Sequence, residues 1–133
     1  MANILVVEDE PNMADLLKAS LEAKSHSVKT ANDGAQALEI LGVEPLQPST
    51  FHPDLILMDI VMPVLDGYST ARRLQEEPST REIPIIMVSV KRQMKEQFEI
   101  LPNVKAFVDK PFVLEELLQQ VADLVGEDTS GVI

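Results

Sequence analysis

The chain has 133 residues, of which 45% are hydrophobic and 25% charged, and it contains no cysteine. That length fits one domain, able to bury about two thirds of the surface its unfolded chain exposes, and the missing thiols exclude a disulfide framework and a thiolate metal site. A net charge of −11, from 11 Lys and Arg against 22 Asp and Glu, repels nucleic acid and anionic membranes, and no apolar run approaches the roughly 20 residues that span a bilayer.

Ile4-Leu5-Val6-Val7 is a short apolar run that predicts a buried strand, β1, over Asn3 to Val7, closed by Glu8-Asp9-Glu10-Pro11. No basic start or cleavage site precedes it, so a cytoplasmic protein is expected. Pro11 suits the first turn of helix α1, whose buried face is read from Met13, Leu16, Leu17, Ser20 and Leu21, ending at Lys24 to Ser27. Val28 to Ala31 alternates like an edge strand, β2. Asn32-Asp33-Gly34 caps helix α2, which runs to about Leu41 with Ala35, Leu38 and Leu41 on one face. Residues 42–53 carry Pro45, Pro48 and Pro53, which forbid a regular element. This segment precedes the next strand and reads as an insertion at the amino end of the sheet.

Asp54-Leu55-Ile56-Leu57-Met58-Asp59 is the stretch around which the rest is organised. Four apolar residues in a row predict a strand buried on both faces, β3, with Asp59 at its carboxyl end. Pro63 and Asp66-Gly67 then turn the chain away from the sheet into helix α3, from about Gly67 to Gln75. Ile83 to Val88 is another continuous apolar run, β4, ending in Ser89. A helix with a thin apolar face, α4, is expected from about Arg92 to Ile100. Ala106-Phe107-Val108 forms β5, ending in Asp109-Lys110-Pro111, and Val113 to Val125 forms α5, stopped by Gly126. Residues 1–126 are thus expected to form one domain and 127–133 a polar tail. Alternating strands and helices imply a doubly wound parallel sheet with helices on both faces, in the flavodoxin-like order 2-1-3-4-5.

Open sheets of this class bind ligands at the carboxyl edge of the strands. There β1 delivers Glu8 and Asp9, β3 delivers Asp59, β4 delivers Ser89 and β5 delivers Lys110. Crowded carboxylates raise a pKa or demand a cation, and all-oxygen ligands favour Mg²⁺, Mn²⁺ or Ca²⁺ over zinc. A carboxylate is also able to form an aspartyl phosphate, whose charge the metal, the Lys110 ammonium and the Ser89 hydroxyl would counter. Taken singly, Glu8, Asp9 and Glu10 also read as helix N-terminal acids, Asp59 as a turn residue, Ser89 as a strand-end hydroxyl and Lys110 as a surface cation. Their convergence on one edge favours the chemical reading. His26 and His52 precede strands and read as surface residues at the far edge. The cations Lys91, Arg92, Lys95, Lys105 and Lys110 fall within one stretch, which reads either as a solvated face or as a docking patch for an acidic partner.

Five motifs in order carry a family resemblance: Leu5-Val6-Val7-Glu8-Asp9-Glu10, Asp54 to Asp59, Met62-Pro63 with Asp66-Gly67, Ile85 to Ser89, and Lys110-Pro111-Phe112. From residue 3 to about 125 the chain resembles a response-regulator receiver domain, the phosphoacceptor module of two-component signalling. The resemblance implies phosphorylation of Asp59 by a histidine kinase or phosphotransfer protein. It implies Mg²⁺ (or Mn²⁺) held by Asp9, Asp59 and the backbone carbonyl of Val61, with Glu8 acting through water. It further implies that Ser89 and Lys110 bind phosphoryl oxygens, that the Lys110-Pro111 peptide is cis, and that Phe107 is the switch aromatic; Phe107 also reads as plain strand core. The expected output is binding of a downstream protein through the α4–β5–α5 face, with no turnover of a substrate and no direct nucleic-acid contact. The last two helices leave room for a dimer without requiring one. The chain ends soon after α5, so a single-domain regulator is expected.

Two positions depart from the family pattern. Val90 stands where Ala or Gly is usual and narrows access to the site, which predicts slow reaction with small phosphodonors. Val61 offers no polar side chain to orient attacking water, which predicts a long-lived phosphoryl group, and Lys91 occupies the other position that influences that water. An aspartate-nucleophile phosphohydrolase of the haloacid-dehalogenase type needs a second acid two residues after Asp59, where Val61 stands. A flavodoxin-like FMN binder needs a hydroxyl- and glycine-rich loop after β1, where Glu8-Asp9-Glu10-Pro11 repels phosphate. A receiver-like binding module that takes no phosphate is the remaining alternative.

Overall fold

A computed structural model describes residues 1–89 and 101–126, with Ser89 described by its backbone. The expected helix α4, Val90, Lys91, Arg92, Lys95 and the tail 127–133 lie outside the described residues. Within them the order is β1 (Asn3–Val7), α1 (Pro11–Glu22), β2 (Ser27–Ala31), α2 (Gly34–Ile40), β3 (Leu55–Asp59), α3 (Gly67–Glu76), β4 (Ile85–Ser89), β5 (Val104–Asp109) and α5 (Leu114–Val125). The five strands form one parallel sheet in the order β2-β1-β3-β4-β5, as the alternating pattern predicts.

Burial explains the order. All five residues of β3 are buried, which only a central strand covered on both faces achieves. β2 alternates exposed and partly covered residues and takes one edge. On one face Leu5, Val7, Ile56, Met58 and Met87 pack with Leu38, Ala71 and Leu74 of α2 and α3. On the other, Ile4, Val6, Leu57 and Val88 pack with Leu17, Leu21, Leu117 and Val121 of α1 and α5. Each strand thus sends alternate residues into two separate apolar layers.

Element ends follow from backbone donors. Pro84 has no N–H, so β4 starts at Ile85, whose N–H donates to Asn103 O at 2.8 Å. β5 is longer than its apolar core because its pairing shifts register between Ile85 and Ile86, leaving Lys105 as an extra residue. Asp33 and Asp66 cap α2 and α3 by accepting from Gln36 N–H at 2.8 Å and Ser69 N–H at 2.7 Å. Gly126 closes α5 in the left-handed region, φ 78°. Ala35 and Leu16, read as core-facing, are exposed; Ala37 instead turns inward beside Leu38. The insertion 42–53 lies at the amino end of the sheet, as expected. It is tied down by Ser49 Oγ, which donates to Ile40 O at 2.8 Å, and by Lys29 Nζ, 5.8 Å from the Phe51 ring centroid. With Ser79, Thr80 and Ile83 it lines a cavity of about 450 Å³ remote from Asp59. The Glu44-Pro45 and Lys110-Pro111 peptides are both cis.

His26 corrects the sequence reading: it is buried, and its Nδ1 accepts the Ala2 N–H at 3.1 Å. Burial, followed by the amino-terminal charge, pushes its pKa below 6.5. Below pH 6.5 the unfolded chain therefore binds this proton more readily than the folded one, and stability falls as the pH drops through that window. Protonation also destroys an acceptor worth about 1 kcal/mol. Chemical denaturation between pH 7.5 and 5.5 should show a steeper loss in the native protein than in His26→Gln. Parallel slopes would show that His26 does not carry the effect.

Candidate functional site

The three acids after β1 separate into three roles. Glu8 extends the strand by one hydrogen bond, its N–H donating to Ala31 O at 3.0 Å. Its side chain is 3% exposed; Oε2 accepts Glu10 N–H at 3.1 Å and Oε1 accepts Lys110 Nζ at 3.2 Å. Glu10 turns outward and caps α1, accepting Met13 N–H at 2.9 Å next to Pro11 at the helix start. Asp9 is exposed above the sheet edge.

Asp59 ends β3 and is 7% exposed. Its Oδ2 accepts Lys110 Nζ at 3.2 Å and its Oδ1 accepts Val61 N–H at 3.3 Å. The turn that follows folds back tightly: Gly67 N–H donates to Ile60 O at 2.8 Å. A Cβ at Gly67 would sit 2.5 Å from Asp59 O and 2.9 Å from Ile60 Cα, so only glycine lets α3 start against the strand that carries Asp59. Lys110 follows β5, the far edge strand, and reaches across the edge of β4 to meet both acids.

Among the described residues the charges at this edge do not balance. Burial, then the nearby Asp59, raises the Glu8 carboxyl above its usual pKa, although the Glu10 N–H and Lys110 oppose the shift. Burial works against the Lys110 charge, but Asp59 and Glu8 outweigh it and its pKa rises above 10.5. Glu8, Asp9 and Asp59 each bring one carboxylate oxygen within 4.8 Å of the others. Among the described residues, three acids against one ammonium leave a negative, all-oxygen donor set, which fits a small hard divalent cation that retains part of its water. Nitrogen or sulfur ligands, which would point to zinc, are absent from this set.

Glu8, Asp9, Asp59 and Lys110 therefore meet as the sequence predicts. Val61, in the turn, is 50% exposed and joins Asp59 through its N–H. Ser89 ends β4 opposite Asp109 in β5, which places its backbone at the same edge. Phe107 pairs with Met87 in register and is half-buried against the core layer of α2 and α3. The division of labour between Glu8 and Glu10 is invisible in three consecutive acids. A partial signal existed in Pro11, since the residue before a helix-starting proline is the natural cap.

Comparison with known proteins agrees with this geometry. The response regulator receiver domain family matches residues 4–122. Protein PilH of Pseudomonas aeruginosa is 34% identical over 122 residues, covering 91% of this chain and 95% of PilH. The DNA-binding dual master transcriptional regulator RpaA of a Synechocystis strain is 30% identical over 94% of this chain. The chain spans about half of RpaA's length and 12% of the sensor histidine kinase TmoS of Ectopseudomonas mendocina. The receiver domain of a Pseudomonas aeruginosa sensor histidine kinase, solved with a magnesium ion coordinated in its active-site cleft, has a TM-score of 0.79 at 30% identity, covering 95% of this chain and 98% of that one. The response regulator TrrA of Thermotoga maritima, solved in complex with Mg(2+)-BeF, has a TM-score of 0.75 at 28% identity, covering 93% of this chain and 99% of that one. Sheet order, acidic edge and a match over nearly the whole chain agree: the protein belongs to the response regulator receiver domain family.

Proposed function

We propose that Asp59 accepts a phosphoryl group from the phosphohistidine of a histidine kinase or phosphotransfer protein, and that this switches the binding of a downstream protein. The supporting observation is the Lys110 ammonium, held 3.2 Å from both Asp59 and Glu8 at the carboxyl edge. An Asp59 oxygen attacks phosphorus, the P–N bond breaks, and the histidine nitrogen leaves with the electron pair. Lys110 then exchanges part of its contact with Asp59 for a phosphoryl oxygen, and Ser89 donates its hydroxyl to another. Glu8, Asp9, Asp59 and the Val61 carbonyl would hold Mg²⁺ (or Mn²⁺), with Glu8 acting through water; the bound cation offsets carboxylate repulsion and phosphoryl charge. The chain thus assists one transfer onto Asp59 and the later loss of the phosphoryl group to water as inorganic phosphate, without turning over a separate substrate.

On this reading residues 1–126 act as the receiver domain and 127–133 as a polar tail, in a single-domain regulator located in the cytoplasm. The near-complete coverage of PilH supports that organisation. Movement of Ser89 toward the phosphoryl oxygens opens space beside β4, and Phe107 turns into it. Having no hydroxyl, Phe107 reports the change by shape, on the α4–β5–α5 face.

The test is to incubate the protein with acetyl phosphate and Mg²⁺ and weigh it intact. A gain of one phosphoryl mass is expected, and none after chelation of the metal. With no polar side chain at Val61 to orient water, the adduct should persist for minutes or longer after the donor is removed. Absence of any adduct at saturating Mg²⁺, both after long incubation with acetyl phosphate and with a phosphohistidine-bearing phosphotransfer protein, sinks the acceptor reading, and decay within seconds refutes the role given to Val61.

A further inference from the structure

The connection from α2 to β3 runs over residues 41–54, where such loops commonly take about 2–6 residues. Its extra length builds one side of the cavity at the amino end of the sheet; the turn before β4 builds the other. Leu41, Pro53 and Thr80 line the cavity and are buried, Phe51 and Ile83 are half-buried, and Gln47, His52 and Ser79 stand exposed at its mouth. A volume of about 450 Å³ falls within the range of small-ligand pockets. The cavity opens at the opposite edge of the sheet from Asp59 and does not depend on the chemistry there.

Both sides are pinned by the chain itself. In the insertion, the Gln47 N–H donates to Gly42 O at 2.9 Å, and Ser49 Oγ donates to Ile40 O at 2.8 Å while accepting the Phe51 N–H at 3.1 Å. Pro45, Pro48 and Pro53 each fix a backbone angle in the same segment. In the facing turn, the Thr80 N–H donates to Glu77 O at 3.0 Å and the Ile83 N–H to Thr80 O at 3.1 Å. Thr80 Oγ1 ties that turn to α3 by donating to Leu74 O at 2.8 Å. A cavity held between two such loops loses little entropy when it is filled.

The lining selects the occupant. Charged residues make up 25% of the chain, yet among the described residues no Asp, Glu, Lys or Arg lines the cavity. An ion entering it gives up water and meets no counter-charge. An anion also faces the negative poles of α2 and α3, which both end at this edge of the sheet. The Ser49 and Thr80 hydroxyls already give their protons to backbone carbonyls, which leaves the interior to apolar contact with Leu41, Phe51 and Ile83. Gln47 and His52 offer donors and acceptors at the mouth. We propose that the cavity binds a small uncharged molecule, with a ring or short apolar body inside and one hydroxyl or amide head at the mouth. Bound there, it braces the two loops that lead into β3 and β4, the strands that end in Asp59 and Ser89.

Tryptophol, indole-3-acetate and tryptamine serve as probes, since they carry one indole ring with a neutral, a negative and a positive head. The protein has no tryptophan, so indole fluorescence anisotropy reports the probe alone. Salt of about 0.15 M screens long-range attraction to the acidic chain. Tryptophol should bind saturably and at least about fivefold more tightly than either ion. It should shift the amide NMR signals of Phe51, Thr80 and Ile83 and leave those of Asp59 and Lys110 in place. Ser79→Phe should block the mouth and Phe51→Ala should remove a wall, each weakening tryptophol about fivefold or more. Ser79→Phe, at an exposed position, should keep the native melting temperature, which separates blocking from unfolding. The proposal is overturned if tryptophol shows no saturable binding up to about 10 mM, where even small fragments fill a preformed site. Equal or tighter binding of either ion, or native affinity in both variants, overturns it as well.

Discussion

Asp59→Asn should lower phosphoryl uptake to below about 1% of the native rate, because an amide oxygen is too weak a nucleophile to replace a carboxylate. The variant should remain folded. Asp59 is one of three crowded acids, and its removal takes away a charge that helps to raise the Glu8 pKa. The Lys110 to Glu8 contact at 3.2 Å is kept, so no buried charge is stranded. Loss of labelling with an unchanged melting temperature therefore isolates the chemistry from the fold. Asp54→Asn is the matched control. Asp54 opens the same sequence stretch but is exposed at the amino end of the sheet, where its Oδ2 accepts Asn3 N–H at 2.8 Å. Full labelling of Asp59→Asn by intact mass would move the acceptor elsewhere and remove the basis of the signalling reading.

What the sequence made legible divides along physical lines. The uninterrupted run Leu55 to Met58 announces its own burial, since no polar residue interrupts it. Element ends are legible where side chains act on the backbone, as at Asp33, Asp66 and Gly126. Legibility fails where a position depends on distant partners. Nothing near His26 in sequence shows that the Ala2 N–H arrives from the far end of the chain's first strand to meet its ring. Leu16 and Leu17 are equally apolar, yet Leu17 is covered and Leu16 is not, because the width of the buried stripe on α1 is set by α5 and the sheet. The site fared better than these details because its acids sit at strand ends, whose edge is fixed by topology alone. The fine geometry, including the left-handed Val64 and the close approach at Gly67, arises from the loop closing between two elements and has no local signal.

Lys110→Met is expected to be the most costly of the charge substitutions at this edge. The ammonium side chain is 21% exposed, and its partners Glu8 and Asp59 are 3% and 9% exposed. Removing one member of such a group leaves two covered carboxylates facing each other, a loss of about 3 kcal/mol, at the low end for buried pairs because the lysine keeps some contact with water. The sign of the pH dependence follows from the two shifts. The raised Lys110 pKa means its contribution is present throughout the neutral range and fades only as the pH climbs past 10.5. In the variant the Glu8 carboxyl, already raised, loses the opposing influence of Lys110. It then takes up its proton more readily folded than unfolded, so the variant regains stability relative to the native protein as the pH falls toward 4.5. Added Mg²⁺ should narrow the same gap at neutral pH, since a cation among Glu8, Asp9 and Asp59 replaces the missing charge. Lys110→Arg, which keeps the charge, should recover most of the stability but lose much of the phosphoryl uptake, because its broad planar head does not reproduce a compact ammonium between the two acids. Denaturation curves at pH 5 and pH 7.5, with and without Mg²⁺, measure the gap directly: a Lys110→Met penalty that is the same under all four conditions would mean that charge balance is not what Lys110 supplies.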